Sequence, residues 1–245
     1  RQLHLQNYRD TLKLAGLSTA AVVSVARTLV GTFCTVLASA FLGFMFTQPK
    51  LWHRKLWYRL MVITMYFNAG LIPMFMTMKN LGLTNRFLVY IIPAIVQPFN
   101  IIMVKTYVES LPASLQEAAR VDGAGVLTRF FKVILPLCKP ILATIAIWAA
   151  VGQWNSFQDT LLYVTDQRLY TLQYILYSYF NQASSLATLI KSSGTMTTIA
   201  NLVTAQTPTS IRMTISVIVV LPILFIYPLF QKYFVKGIMI GAVKG

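Results

Sequence analysis

The sequence predicts an all-α protein, a polytopic bundle of transmembrane helices. Three observations predict it. Apolar residues make up 56% of the 245 residues and charged residues only 11%, outside the balance of soluble domains. The apolar residues gather into five runs, each long enough for a helix to cross a hydrocarbon core of about 30 Å, which needs about 20 residues. The bases sit in short loops between these runs, and only 6 acids oppose 21 bases, for a net charge of +15. Bases placed this way read as topology-setting charge rather than as a nucleic-acid surface.

The first run is 17–46. Gly31, Thr35, Ser39 and Gly43 recur in it every four residues and so share one helix face, a small face of the kind that lets membrane helices approach closely. Arg27 is read as an anchor that snorkels to the interface. The loop from Gln48 to Arg59 carries Lys50, Arg54, Lys55 and Arg59 and no acid. The second run is 56–78 and the third 87–108. A polar, charged stretch, 109–139, follows. The fourth run, 140–164, turns polar in its second half. The connection 165–210 is too long for a turn, and short helices are expected around 171–180 and 195–204. The fifth run is 211–235, and a Gly-rich tail occupies 236–245. Prolines 73, 93, 98, 222 and 228 fall inside runs, where they kink membrane helices. Five spans put the loop at 48–59, the stretch 109–139 and the tail on one side. These are the basic segments, so that side is expected to be cytoplasmic.

The stretch 109–139 keeps helical order despite its charge. Pro112 suits the start of a helix carrying Glu117, Ala118 and Ala119. Asp122-Gly123 is a turn pair that stops it. Val126, Leu127, Phe130, Phe131 and Ile134 then form an apolar stripe at helical spacing, closed by Leu135-Pro136. The result is a helix–turn–helix elbow outside the membrane. Ser114-x-x-Glu117 also fits a capping box, so Glu117 has a purely local alternative role.

Glu117-Ala118-Ala119, Asp122-Gly123-Ala124, Ile134-Leu135-Pro136 and Pro140 at this spacing, between apolar spans, resemble the EAA loop of permease subunits in binding-protein-dependent ABC importers. Further matches run along nearly the whole chain: Phe67 to Pro73, Leu81-Gly82-Leu83, Gly152 to Ser156, Leu172-Gln173 and the terminal Gly241 to Gly245 resemble the maltose-type second permease subunit. Within that family the resemblance points to importers of polysaccharide fragments such as alginate or pectin oligosaccharides. It implies a type I ABC importer permease fold in the bacterial cytoplasmic (inner) membrane, with one further span expected before Arg1. It also implies a second permease subunit, two ATPase subunits that bind ATP and Mg²⁺, and an extracytoplasmic solute-binding protein. Glu117, Ala118, Ala119, Asp122, Gly123 and Ala124 would then couple to the ATPase, and Gly241, Val243, Lys244 and Gly245 would reach between the ATPase subunits. The connection 165–210 would face outward and could receive the binding protein, or pack as a lid on its own permease.

The residues themselves carry no catalytic constellation: no Ser/His/Asp set, no His/Cys cluster and no GxxxxGK[ST] loop. Cys34 and Cys138 imply neither a disulfide framework nor a metal site. This chain is therefore expected to hold no cofactor and to hydrolyse no ATP. A stand-alone secondary transporter or channel would need acids or histidines in its spans, and none of the six acids falls mid-span in this reading. For an oligosaccharide path, Asn68, Gln97 and Asn100 fall near mid-membrane, where amides can pair with hydroxyls without burying charge. Gln153, Trp154, Asn155 and Phe157 add aromatic faces and amides farther out, although Trp at an interface is also an ordinary belt residue.

Overall fold

A computed structural model describes residues 16–193 together with Met213, Ser216, Val217, Val219, Val220, Leu221 and Leu224. The helix expected around 195–204, most of the run 211–235 and the tail residues Gly241, Val243, Lys244 and Gly245 lie outside the described residues. All regular structure among the described residues is helical.

Helix α1, Leu17–Met45, is the mast of the bundle. Its 29 residues are mostly apolar and free of proline, and among the described residues it alone is long and apolar enough to cross a membrane as one straight piece. The small face works as an approach surface. A Cβ on Gly43 would lie 2.7 Å from Val104 Cβ and 3.1 Å from the Ile101 carbonyl, so α5, Pro98–Ser110, meets α1 backbone to backbone there. A Cβ on Gly31 would lie 2.6 Å from Gln153 Nε2, on α9, Lys139–Asn155. One small stripe thus seats two helices, one at each end.

The later runs are broken, each for a local reason. The second run, expected to be continuous over 56–78, is two helices, α2 Arg54–Thr64 and α3 Leu71–Asn80. Between them the Asn68 side chain accepts the Gly70 N–H at 2.9 Å and Gly70 takes φ 83°, turn chemistry that outcompetes the helix. In the third run a 3₁₀ turn, Phe87–Tyr90, and α4, Ile92–Ile95, meet α5 at a 45° bend. Val96 and Gln97 are extended, Gln97 because Pro98 disfavours helix in the residue before it. Pro98 also lacks the N–H that would pair the Ala94 carbonyl. Thr35 Oγ1 on α1 donates to that carbonyl instead, at 3.0 Å.

The stretch 109–139 contains α6 Ala113–Val121, α7 Val126–Arg129, a π-helical turn Phe130–Ile134 and α8 Leu135–Leu137. The chain then bends by 80° into α9. α9 ends at Asn155, and α10, Gln158–Tyr163, continues the fourth run after a short break. Where a short helix was expected at 171–180, the chain forms the longer α11, Leu172–Ser193.

Two sets of side-chain bonds fix the ends of the bundle. Near the C-terminal end of α1, Gln48 Nε2 donates to Gln116 Oε1 at 3.3 Å, tying the basic loop to α6. Near its N-terminal end, Ser24 Oγ accepts the Leu172 N–H at 2.9 Å. There the Asn85 side chain, on a left-handed residue, accepts the Thr165 and Asp166 N–H groups at 2.6 and 3.1 Å, tying the 81–86 turn to the start of the 165–210 connection.

Candidate functional site: an elbow and a cavity on the same two helices

The elbow begins where Leu111 is held extended by Pro112. α6 follows, with Glu117 and Ala118 exposed and Ala119 half-buried. Asp122 and Gly123 turn the chain, Gly123 at φ 73°, where any other residue is strained. The capping box does not form: Pro112 holds the N-cap position and no side chain caps the helix, because Ser114 already lies inside it. Glu117 is left exposed, with no bond to another side chain among the described residues. Val121 is 87% exposed and Leu127 59%, a bare apolar surface on a segment rich in charge.

The return leg is welded to the bundle. Phe130 is fully buried, edge-on to Phe41 at 5.4 Å and tilted against Phe44 at 5.5 Å. It belongs to a cluster with Val104 and Val108 of α5, Ala40 and Phe44 of α1, Ile134, Cys138, and Leu142 and Ile145 of α9. Burial in this cluster pushes the Cys138 thiol up to about 11. Displacing the elbow therefore displaces α5 and α9. Arg129, beside Phe130, is also buried; its desolvation, with the like charge of Arg120, lowers its pKa from the ordinary arginine value.

The cavity, of about 340 Å³, opens between α1, α5 and α9. Gln97 and Asn100 line it from α5 and its approach; Trp148, Gly152 and Gln153 line it from α9; Thr35 and Arg27 from α1. Trp148 is stacked on Phe99, with ring centroids 6.0 Å apart, and both remain about half exposed.

Arg27 corrects an expectation. It does not snorkel: the residue is 2% exposed and forms the hub of a clasp. Its Nη2 meets Asp159 Oδ2 at 2.6 Å, its Nε and Nη2 donate to Gln153 Oε1 at 3.0 and 2.9 Å, and its Nη1 donates to the Ser156 carbonyl at 3.2 Å. The Tyr90 ring lies 4.4 Å from its guanidinium carbon. Asp159 is free to face Arg27 because α9 breaks after Asn155. Snorkelling is the rule for a base near a span end, but a carboxylate in reach makes burial affordable, and the clasp satisfies the head from four directions.

Of the residues expected on a solute path, Gln97, Asn100 and Gln153 line the cavity and four do not. Trp154 donates its indole N–H to the Val219 carbonyl at 3.0 Å. Asn155 donates to the carbonyl of Val151 in its own helix. The Phe157 ring stacks on Tyr177 at 4.4 Å. Asn68 serves the turn between α2 and α3. Trp148 and Asp159 were missed. The signal was present: Arg27 is the single charge in the first run and Asp159 the single charge in the fourth, and opposite charges in apolar runs seek each other.

Residues 35–240 match the family described as "Binding-protein-dependent transport system inner membrane component". Protein LplC of Bacillus subtilis (strain 168) is 36% identical over 223 residues, 91% of this chain and 73% of the relative. The polygalacturonan/rhamnogalacturonan transport system permease protein YtcP of the same strain is 34% identical over 226 residues, 91% and 76%. Among solved structures, a chain of a bacterial ABC transporter involved in the import of the acidic polysaccharide alginate superposes with a TM-score of 0.82 at 28% identity, covering 96% of this chain and 81% of that one. The fold is thus that of an ABC importer permease. On these matches the chain belongs to the binding-protein-dependent transport system inner membrane component family, as a membrane transport subunit and not an enzyme.

Proposed function

We propose that this chain forms one wall of the pathway of an ATP-driven oligosaccharide importer in the bacterial cytoplasmic membrane. It would span the membrane several times and pair with a second permease subunit. Two ATPase subunits would grip the pair at the elbow, and an extracytoplasmic solute-binding protein would deliver the sugar. The pectin-fragment and alginate transport named for its relatives supports oligosaccharide as the substrate class.

The observation that carries this reading is mechanical. The elbow joins α5 to α9, and these are the two helices that line the cavity with α1. A push on α6 passes through the Phe130 cluster into both cavity walls. ATP binding would close the partner ATPases, move the elbows, and switch the cavity between inward-open and outward-open states. The shift depends on ATP favouring one of the two states.

The cavity suits a sugar. Trp148 offers it an aromatic face, and Gln97 and Asn100 offer amides for hydroxyls. Arg27 is neutralised by Asp159, so recognition of a uronate's charge would fall to the second permease or the binding protein.

The test is uptake of labelled oligogalacturonide and arabino-oligosaccharide into proteoliposomes holding the intact importer. Uptake that needs ATP and the binding protein is expected. Uptake that survives without ATP and collapses with an ion gradient would replace this reading with secondary transport.

A further inference from the structure

We infer that the apolar groove between α1, α2 and the approach to α5 binds one anionic phospholipid, with an acyl tail lying in the groove and the phosphate held by the bases of the 48–59 loop. The inference needs only that the chain lies in a membrane, and neither the substrate nor the coupling role proposed above. The groove has a volume of about 590 Å³. Trp57, Leu60, Met61 and Thr64 line it from α2, and their spacing of three and four puts them on one helix face. Val96 and Pro98 line it from the link that leads into α5. Ala94 and Gln97 of the same stretch line the cavity described above, so the link separates two distinct spaces. Of the side chains that line the groove only Thr64 and Trp57 carry an oxygen or nitrogen, and Thr64 donates its hydroxyl to the Met61 carbonyl at 2.6 Å. A sugar would leave its hydroxyls unpaired here, and a hydrocarbon tail would not.

Hydrocarbon alone selects no particular lipid, because tails are as apolar as the leucines they touch. The selection comes from the mouth. Leu51 lines the groove there, and Lys50, Arg54, Lys55 and Arg59 flank it in a loop that holds no acid. Arg54 stands three residues before Trp57 and seven before Met61, on the groove face of α2. Its Nη1 donates to the Thr47 carbonyl at 3.0 Å, which holds the side chain against the turn that follows α1. Lys50, Lys55 and Arg59 are exposed, and none of the four bases forms an ion pair among the described residues. The spanning helix α1 ends at Met45, and Trp52, 73% exposed, stands with Trp57 in the segment that follows, a residue type that sits at headgroup level. The groove therefore starts where a phosphate lies and runs along α2 into the apolar part of the bundle. Clustered bases beside a spanning helix attract anionic headgroups. A zwitterionic lipid would fit the groove but bring no net charge to its mouth.

A photoreactive residue in place of Leu60, which lines the groove and is 45% exposed, reads this site alone in the intact importer. Illumination should join it to labelled phosphatidylglycerol. Phosphatidylcholine with the same tails should compete about ten-fold less well than unlabelled phosphatidylglycerol, and glycerol phosphate, a headgroup without tails, should not compete. Lys50→Gln, Lys55→Gln and Arg59→Gln together should bring the two lipids to within about two-fold of each other; all three bases are exposed, so the fold tolerates the change. Thr64→Trp, at the exposed far end of α2, takes room from the tail and should lower the yield several-fold. The inference is overturned by equal competition from the two lipids, by a preference that survives loss of the three bases, by a yield that Thr64→Trp leaves unchanged, or by competition from glycerol phosphate. It is also overturned by a cross-link that joins position 60 to protein, which would make the groove an interface between polypeptide segments.

Discussion

Asp159→Asn is the most informative single change to the bundle. It keeps the shape of the side chain and removes the charge that neutralises Arg27. Arg27 is 2% exposed, so its cation stays in a site that water scarcely enters. Breaking a fully buried pair costs about 3–5 kcal/mol. The Asp159 side chain is 34% exposed, and solvent screening at that end reduces the loss to roughly 2–3 kcal/mol. Arg27→Met strands less, because a carboxylate one-third exposed can turn to water, but it also leaves Gln153 Oε1 and the Ser156 carbonyl without their donor. The double variant Arg27→Met, Asp159→Asn has no stranded charge. Thermal unfolding in detergent of the four proteins closes a double-mutant cycle. A coupling of about 1.5–3 kcal/mol is expected, with the double variant more stable than Asp159→Asn alone. Additivity within about 0.5 kcal/mol would refute the clasp.

Four predictions concern other parts of the bundle. Gly43→Val should cost roughly 1–3 kcal/mol by overpacking and lower the unfolding temperature, since Val104 Cβ and the Ile101 carbonyl leave no room; Gly123→Ala, in open space but at φ 73°, should cost about 1–2 kcal/mol of strain local to the elbow. Cys138 should resist maleimide near neutral pH until the protein is unfolded. Its folded thiol binds its proton more tightly than the unfolded one, so the stability it contributes is whole below the ordinary thiol value of 9.0 and is lost as pH climbs toward about 11, which a pH series of unfolding temperatures would read. Trp148→Ala should lower ATP-dependent sugar uptake several-fold while leaving assembly with the ATPase intact, because Trp148 borders the cavity and not the elbow; equal loss of both would remove Trp148 from the solute path.

The elbow and the small face of α1 were legible in the sequence because both rest on local chemistry: Asp122-Gly123 stops a helix wherever it occurs, and a glycine, threonine, serine, glycine stripe at spacing four is a packing face in any membrane helix. The breaks within the runs were legible in part. Pro98 announces its bend, whereas hydropathy averaged over 56–78 hides the Asn68–Gly70 turn. The clasp was not read because it joins Arg27 to Asp159 across 132 positions, and each residue alone fits a blander role. Trp154 misled for the opposite reason. Its local sequence, among amides, suits a sugar, but its indole N–H is taken by the carbonyl of Val219, a partner no window around residue 154 contains.

In the proposed function a separate motor drives this chain through its elbow. A photoreactive residue in place of Ala118, exposed on α6, tests it most directly in the intact importer. Illumination should join this chain to the nucleotide-binding subunit, and ATP should change the yield. An adduct with the extracytoplasmic binding protein, or none at all in an assembled complex, would show that the motor does not grip the elbow.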